Sequence, residues 1–182
     1  VDEDWIYGLA GNDTITGMGG KDTIDGGDGN DLIIAGGGDD SIIGGAGNDT
    51  IKSGAGDDTL DGGAGSDTYI VQADGKKIIV ESDSSPNDTD VLKLPQFAPN
   101  QISATSHAAG DAIVLRFSTG ATSGTITLPN TNDINSRSKL EQIVFSDGTV
   151  WDHAALVSHT VTDPVVDHYF QTVAGSVSAS PF

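Results

Sequence analysis

Between residues 13 and 67 an aspartate returns at every ninth position: Asp13, Asp22, Asp31, Asp40, Asp49, Asp58 and Asp67. Two residues before each stands a glycine, namely Gly11, Gly20, Gly29, Gly38, Gly47, Gly56 and Gly65. Two residues after each stands a large apolar side chain: Ile15, Ile24, Ile33, Ile42, Ile51, Leu60 and Tyr69. Carboxylates stacked at this interval repel one another unless a cation lies between them. They are hard oxygen donors, and the tight turns around them expose further carbonyl oxygens. The chain has no Cys, and His107, His153, His159 and His168 stand in no ligand spacing. A regular oxygen cage without nitrogen or sulfur selects Ca²⁺ over Zn²⁺ or copper. Mg²⁺ is disfavoured because it demands a small octahedral shell and retains its waters.

The elements that must hold these groups follow from the full phrase, clearest at Gly44–Lys52 (GGAGNDTIK). Its first six residues are glycine-rich and read as a tight turn, and its last three read as a short strand. Alternation along the strand sends the eighth residue one way and its neighbours the other. Stacking such units gives a solenoid with an aliphatic interior and Asp-rich edges. The seventh and ninth positions should face solvent, as Thr14, Thr16, Thr50 and Lys52 do in type. Leu32, Ile34, Ile43 and Ile70 break that rule. Such outward aliphatics predict a covered patch, with the C-terminal segment or a second chain packed over it.

A formal charge of -19, from 27 acidic against 8 basic residues, excludes nucleic acid and anionic membrane surfaces as partners. No apolar run approaches the length of a membrane span. Asp4 and Ile6 fall in register before the first full repeat, which predicts a longer array and upstream domains of the same parent chain.

The nonapeptide resembles the GGxGxDxUx repeat of the RTX (repeats-in-toxin) family of haemolysin-type proteins. The resemblance covers residues 8–70 and implies a right-handed parallel β-roll with two repeats per coil. It further implies Ca²⁺ between successive turns on one edge, held by the sixth-position Asp and by turn carbonyls, including those of the fourth-position glycines. Asp13, Asp31, Asp49 and Asp67 then share one edge, and Asp4, Asp22, Asp40 and Asp58 the other, for roughly five or six ions. Leu9 and Met18 replace the second glycine, Ala35 and Ser53 the first, and Lys21 places a cation beside a site. The N-terminal turns are therefore expected to bind least tightly.

After Val71 the period stops. Strand-like runs follow at Lys76–Glu81, Asp90–Leu94, Ala112–Phe117, Gly124–Leu128 and Gln142–Phe145. Asp152 is positioned to cap a short helix over His153–Val157. These runs, closing on LEQIVFSDGTVWD, resemble the domain that follows the repeats in RTX proteins. The expected organisation is a β-roll over 1–72, a small C-terminal β-rich capping domain over 73–157 and a tail over 158–182. The tail is similar to the family's type I secretion signals.

No HExxH or GxSxG motif is present, so no catalytic residue is expected. With only Trp5 and Trp151, no concave aromatic ligand site is expected either. The resemblance implies a calcium-binding module of a larger secreted or cell-surface bacterial protein, an adhesin or toxin, exported by type I secretion machinery. The other reading is the secretion and stability module of a secreted enzyme (protease, lipase or epimerase) whose catalytic domain lies upstream.

Overall fold

The computed structural model describes residues 2–72, 74–82, 85, 87–106, 112–120, 123–129 and 140–162. Expectations for His107, His168 and tail residues 163–182 lie outside these. The repeats form β1 (Trp5–Tyr7), β2 (Thr14–Thr16), β3 (Thr23–Asp28), β4 (Leu32–Ile34), β5 (Ser41–Ala46), β6 (Thr50–Lys52), β7 (Asp58–Ala64) and β8 (Thr68–Ile70). Odd-numbered strands pair in parallel with odd, and even with even. Thr23 lies beside Ser41 and then Thr59, and Leu32 beside Thr50 and then Thr68. Each step is 18 residues, so two repeats make one coil of a parallel β-roll.

The eighth-position residues supply the interior. Ile24, Ile33, Ile51, Leu60 and Tyr69 have no exposed surface, and Ile15 at the open first coil retains 7%. Each fully buried aliphatic side chain contributes about 1.5–3 kcal/mol. Even-numbered strands have three residues, as the repeat pattern predicts, but β3, β5 and β7 run to six or seven. On that face the second glycines of the next repeat stay in register with the neighbouring coil, Gly27 beside Gly45 and Gly45 beside Gly63.

Seven further strands follow: β9 (Gly75–Val80), β10 (Val91–Leu94), β11 (Ile102–Ser106), β12 (Ala112–Ser118), β13 (Ser123–Pro129), β14 (Gln142–Phe145) and β15 (Val150–Asp152). A helix, α1 (His153–His159), and β16 (Thr160–Thr162) complete the described chain. The Asp152 carboxylate accepts from the Ala155 N–H at 2.8 Å, making the expected N-cap. These strands extend the two sheets of the roll. One sheet runs β1-β3-β5-β7-β9-β13-β12-β11-β16 and the other β15-β14-β10-β8-β6-β4-β2. The pairs β7–β9, β9–β13, β8–β10 and β10–β14 remain parallel, so coiling continues past residue 72. Only the outer strands turn antiparallel, at β11–β12–β13 and β14–β15. One apolar core joins Ile33 and Leu60 to Leu92, Phe97, Ile126, Ile143 and Trp151.

The expected covered patch takes another form. Leu32 and Ile34 lie on the outer face of one sheet and Ile43 on that of the other, so they make no continuous surface. Ile43 is 45% exposed, flanked in register by Asp25 and Asp61. Ile34 and Ile70 are half-buried and alternate with Lys52 and Lys93 across the sheet. Their neighbours in register are lysines, whose long stems can cover apolar surface.

Candidate metal centre: two rows of carboxylates

Each turn is shaped by glycines. Gly38 has φ +138°, and a Cβ there would collide with the Gly20 carbonyl oxygen one coil below. Only glycine combines this backbone with so close an approach. Position-four carbonyls are thereby stacked coil on coil from Gly11 to Gly29, Gly47 and Gly65, and from Gly20 to Gly38 and Gly56. Leu9 and Met18, where the pattern has glycine, are forced to φ +77° and +70° with their side chains 73% and 80% exposed.

The aspartates form two ladders. Asp4, Asp22 and Asp40 each donate their backbone N–H to Oδ1 of the Asp 18 residues on, at 2.9, 2.9 and 3.0 Å. Asp13, Asp31 and Asp49 do the same on the other edge, at 2.8, 2.8 and 2.7 Å. The sharing of edges by alternate repeats is thus present in these contacts. Every rung uses Oδ1. The partner oxygens, Oδ2 of Asp13, Asp22, Asp31, Asp40, Asp49 and Asp67, are buried and accept no hydrogen bond within the described structure. Asp4, in the first coil, is exposed.

A second, outer ladder lies one residue earlier and runs the opposite way. Asn30, Asn48 and Ser66 donate their N–H to Oδ1 of Asn12, Asn30 and Asn48, at 2.9, 2.7 and 2.8 Å. Asp57 donates to Asp39 Oδ1 at 2.9 Å. Where the fifth-position rung forms it clamps a turn to the coil before it, while the sixth-position rung clamps it to the coil after.

Room beside the orphaned oxygens is left by the first-position glycines, Gly8, Gly17, Gly26, Gly44 and Gly62. A Cβ on Gly26 would strike Asp31 Oδ2 and the Gly44 carbonyl, and one on Gly17 would strike Asp22 Oδ2 and the Ala35 carbonyl. Carboxylate and carbonyl oxygens therefore face one shared space. Burial raises the Asp40 and Asp49 carboxyls above their ordinary range, and the neighbouring Asp22 and Asp58, or Asp31, add to the rise. Burial, with the charges of Asp49, Asp90 and Asp61, pushes Asp67 up to about 7. A cation beside them would reverse that cost. No three carboxylate or imidazole side chains converge on one point among the described residues. A bound ion would thus take its remaining ligands from the carbonyls, as oxygen-rich Ca²⁺ sites do. The donor set fits Ca²⁺.

Three residues of this arrangement fall outside the repeat pattern. Asp67 N–H donates to Asp90 Oδ1 at 2.8 Å, and Asp90 N–H to Glu141 Oε2 at 2.8 Å, so one row runs on for two more coils. On the other edge, the residue in register with Asp58 is Lys77. Each is followed by the same pattern as the repeat Asp, one residue and then a buried apolar one: Leu92 after Asp90, Ile143 after Glu141 and Ile79 after Lys77. That shared pattern is the signal that could have found them. Glu81 lies nearby, and burial with the Asp90 charge pushes its carboxyl up to about 9. Of the histidines, His159 stacks on Trp151 with ring centroids 4.3 Å apart.

Parallel coils, stacked turn carbonyls and rows of half-used carboxylates define a cation-binding β-roll. The RTX calcium-binding nonapeptide repeat (4 copies) matches residues 2–33 and again 34–69. The haemolysin-type calcium binding protein related domain matches residues 115–155. The chain belongs to the RTX haemolysin-type calcium-binding repeat proteins, whose repeats bind Ca²⁺ and are typical of secreted or surface proteins. No curated protein matches it. Among solved structures it is similar to the AlgE6R3 subunit of the Azotobacter vinelandii mannuronan C5-epimerase, at 20% identity and a TM-score of 0.37. That match covers 100% of this chain and 90% of the other. No helix among the described residues is long and apolar enough to cross a membrane.

Proposed function

We propose that this module is a calcium-operated folding switch, with Ca²⁺ seated in the gaps between successive Asp of each row. The observation that carries it is the set of buried Asp Oδ2 atoms without a hydrogen-bond donor, those of Asp13, Asp22, Asp31 and Asp49 each beside a carbonyl of the adjoining turn. Asp13, Asp31, Asp49 and Asp67 bound three gaps and Asp4, Asp22, Asp40 and Asp58 another three, for roughly five or six ions with the exposed first turn weakest. Millimolar Ca²⁺ is about ten times a typical extracellular-module Kd of ~10⁻⁴ M. Linkage then gives ~1.4 kcal/mol per gap, or about 8 kcal/mol over six. That is the size of a whole domain's stability. At cytosolic calcium the rows repel and the chain stays unfolded, as export through a narrow channel requires. Outside, folding biases translocation forward, and the strands after residue 72 cover the last coils of the roll.

The module itself does no catalysis in this reading. It serves a larger secreted chain, an adhesin or toxin, or alternatively an enzyme with its catalytic domain upstream. The test is circular dichroism through a calcium titration, repeated with magnesium. Strand signal should rise steeply with calcium and little with magnesium. A chain already fully folded in chelator would end the switch reading.

A further inference from the structure

The two rows end differently, and the difference falls on one lysine. In the row Asp4, Asp22, Asp40, Asp58, the next position in register is Lys77 rather than an acid. Lys77 has no exposed surface. Its Nζ lies 2.8 Å from Asp58 Oδ2 in a buried ion pair, at the oxygen that the rungs leave over in Asp22, Asp40 and Asp58 alike. It also donates to the Gly56 carbonyl at 2.5 Å and to the Asp74 carbonyl at 3.1 Å. Gly56 is the position-four glycine of its turn, and Asp74 belongs to the turn of the following coil, since the Gly56 N–H donates to the Asp74 carbonyl. The ammonium therefore touches a repeat Asp Oδ2, a position-four carbonyl and a carbonyl of the next turn.

We propose that Lys77 is a built-in cation: its ammonium occupies the last gap of this row in place of Ca²⁺. The inference rests on the calcium reading of the other gaps. A bare buried ammonium would be costly, but an ion pair with Asp58 and hydrogen bonds to two carbonyls offset that cost. The other row is built without such a residue, because Asp67 is followed in register by Asp90. One row thus closes on a gap that needs no ion and keeps its last coil pinned when calcium is absent.

The experiment counts ions by native mass spectrometry on the whole chain at saturating calcium, for wild type, Lys77→Asp and Lys77→Gln. Thermal unfolding is followed alongside. Lys77→Asp restores the row's carboxylate and should bind one more Ca²⁺ than wild type. Lys77→Gln should bind no extra ion, and its Tm should fall by on the order of 10 °C because Asp58 is left buried without its cation. A folded Lys77→Asp chain with the wild-type ion count overturns the proposal. Should Lys77→Asp fail to fold even in calcium, Lys77→Gln decides, and an unchanged Tm in that variant overturns it. A wild-type chain that binds no calcium sinks the rows themselves, and this inference with them.

Discussion

Replacing Asp49 by Asn separates the two tasks of a repeat carboxylate. Asp49 is 1% exposed, and its Oδ1 accepts the Asp31 N–H at 2.8 Å while its own N–H donates to Asp67 Oδ1 at 2.7 Å. Asparagine keeps both rungs and removes only the charge at Oδ2. Asp49 borders two gaps, toward Asp31 and toward Asp67. Losing tight binding at both, at ~1.4 kcal/mol each, costs about 3 kcal/mol in millimolar calcium. For a chain of this size that lowers Tm by about 6–12 °C. In chelator the sign reverses. The buried carboxylate there has its pKa raised by burial and by Asp31, so its charge is a liability in the metal-free fold. Relieving an unsatisfied buried acceptor is worth about 1–3 kcal/mol, in favour of the variant. Thermal unfolding by circular dichroism in calcium reads the first arm, and the strand signal that remains in chelator, expected to be higher in the variant, reads the second. A Tm in millimolar calcium unchanged by the substitution would refute the reasoning, because the charge at Oδ2 would then hold no ion.

Leu9→Gly and Met18→Gly should each stabilise the roll by about 0.5–1 kcal/mol. A left-handed residue costs about 1–2 kcal/mol, only part of which glycine's unfolded-state entropy takes back. Both side chains are largely exposed, so little burial is lost, and a lower Tm in calcium would contradict the strain. Tyr69→Phe should destabilise by about 1–2 kcal/mol, because the buried Tyr69 hydroxyl accepts the Gly62 N–H at 2.7 Å and that donor would be stranded. Chemical denaturation measures it, and an unchanged midpoint would mean that Gly62 finds another acceptor.

The interior and both edges were legible because a strict period encodes them. Ile24, Ile33, Ile42, Ile51 and Leu60 sit at one position of the phrase and are all buried. What spacing cannot tell is which oxygen of Asp31 holds the next turn and which is left over, since that depends on the coil-to-coil offset of the backbone. Nor does it carry past an interruption. Asp90, Glu141 and Lys77 follow their partners by 23, 51 and 19 residues rather than 18, so inserted loops hide positions that the sheets restore. The fifth-position ladder of Asn12, Asn30 and Asn48 was visible as a preference for Asn but reads equally as turn chemistry. The strand Thr160–Thr162 was read as the start of a tail. Three residues of TVT carry no strand signal until Ala104–Ser106 lie beside them. The outward aliphatics were read as one patch because their neighbours across the sheet, Lys52 and Lys93, are 18 or more residues away in sequence.

In the proposed switch, sharing of ligands is what couples the sites. Asp31 borders the gap toward Asp13 and the gap toward Asp49, and its Oδ1 holds the Asp13 N–H while its own N–H is held by Asp49. An ion in one gap therefore fixes a turn that forms half of the next gap. The second ion meets a carboxylate already placed, and less ordering entropy remains to be lost. Without ions the rung and the orphan oppose each other. A charge-assisted rung contributes about 1.5–3 kcal/mol, and the unsatisfied oxygen beside it costs about 1–3 kcal/mol. The metal-free row is thus close to balance, and a small gain per ion, repeated along shared ligands, moves the whole row together. Lys77 holds one end of one row out of that balance, because Asp58 faces an ammonium that never dissociates.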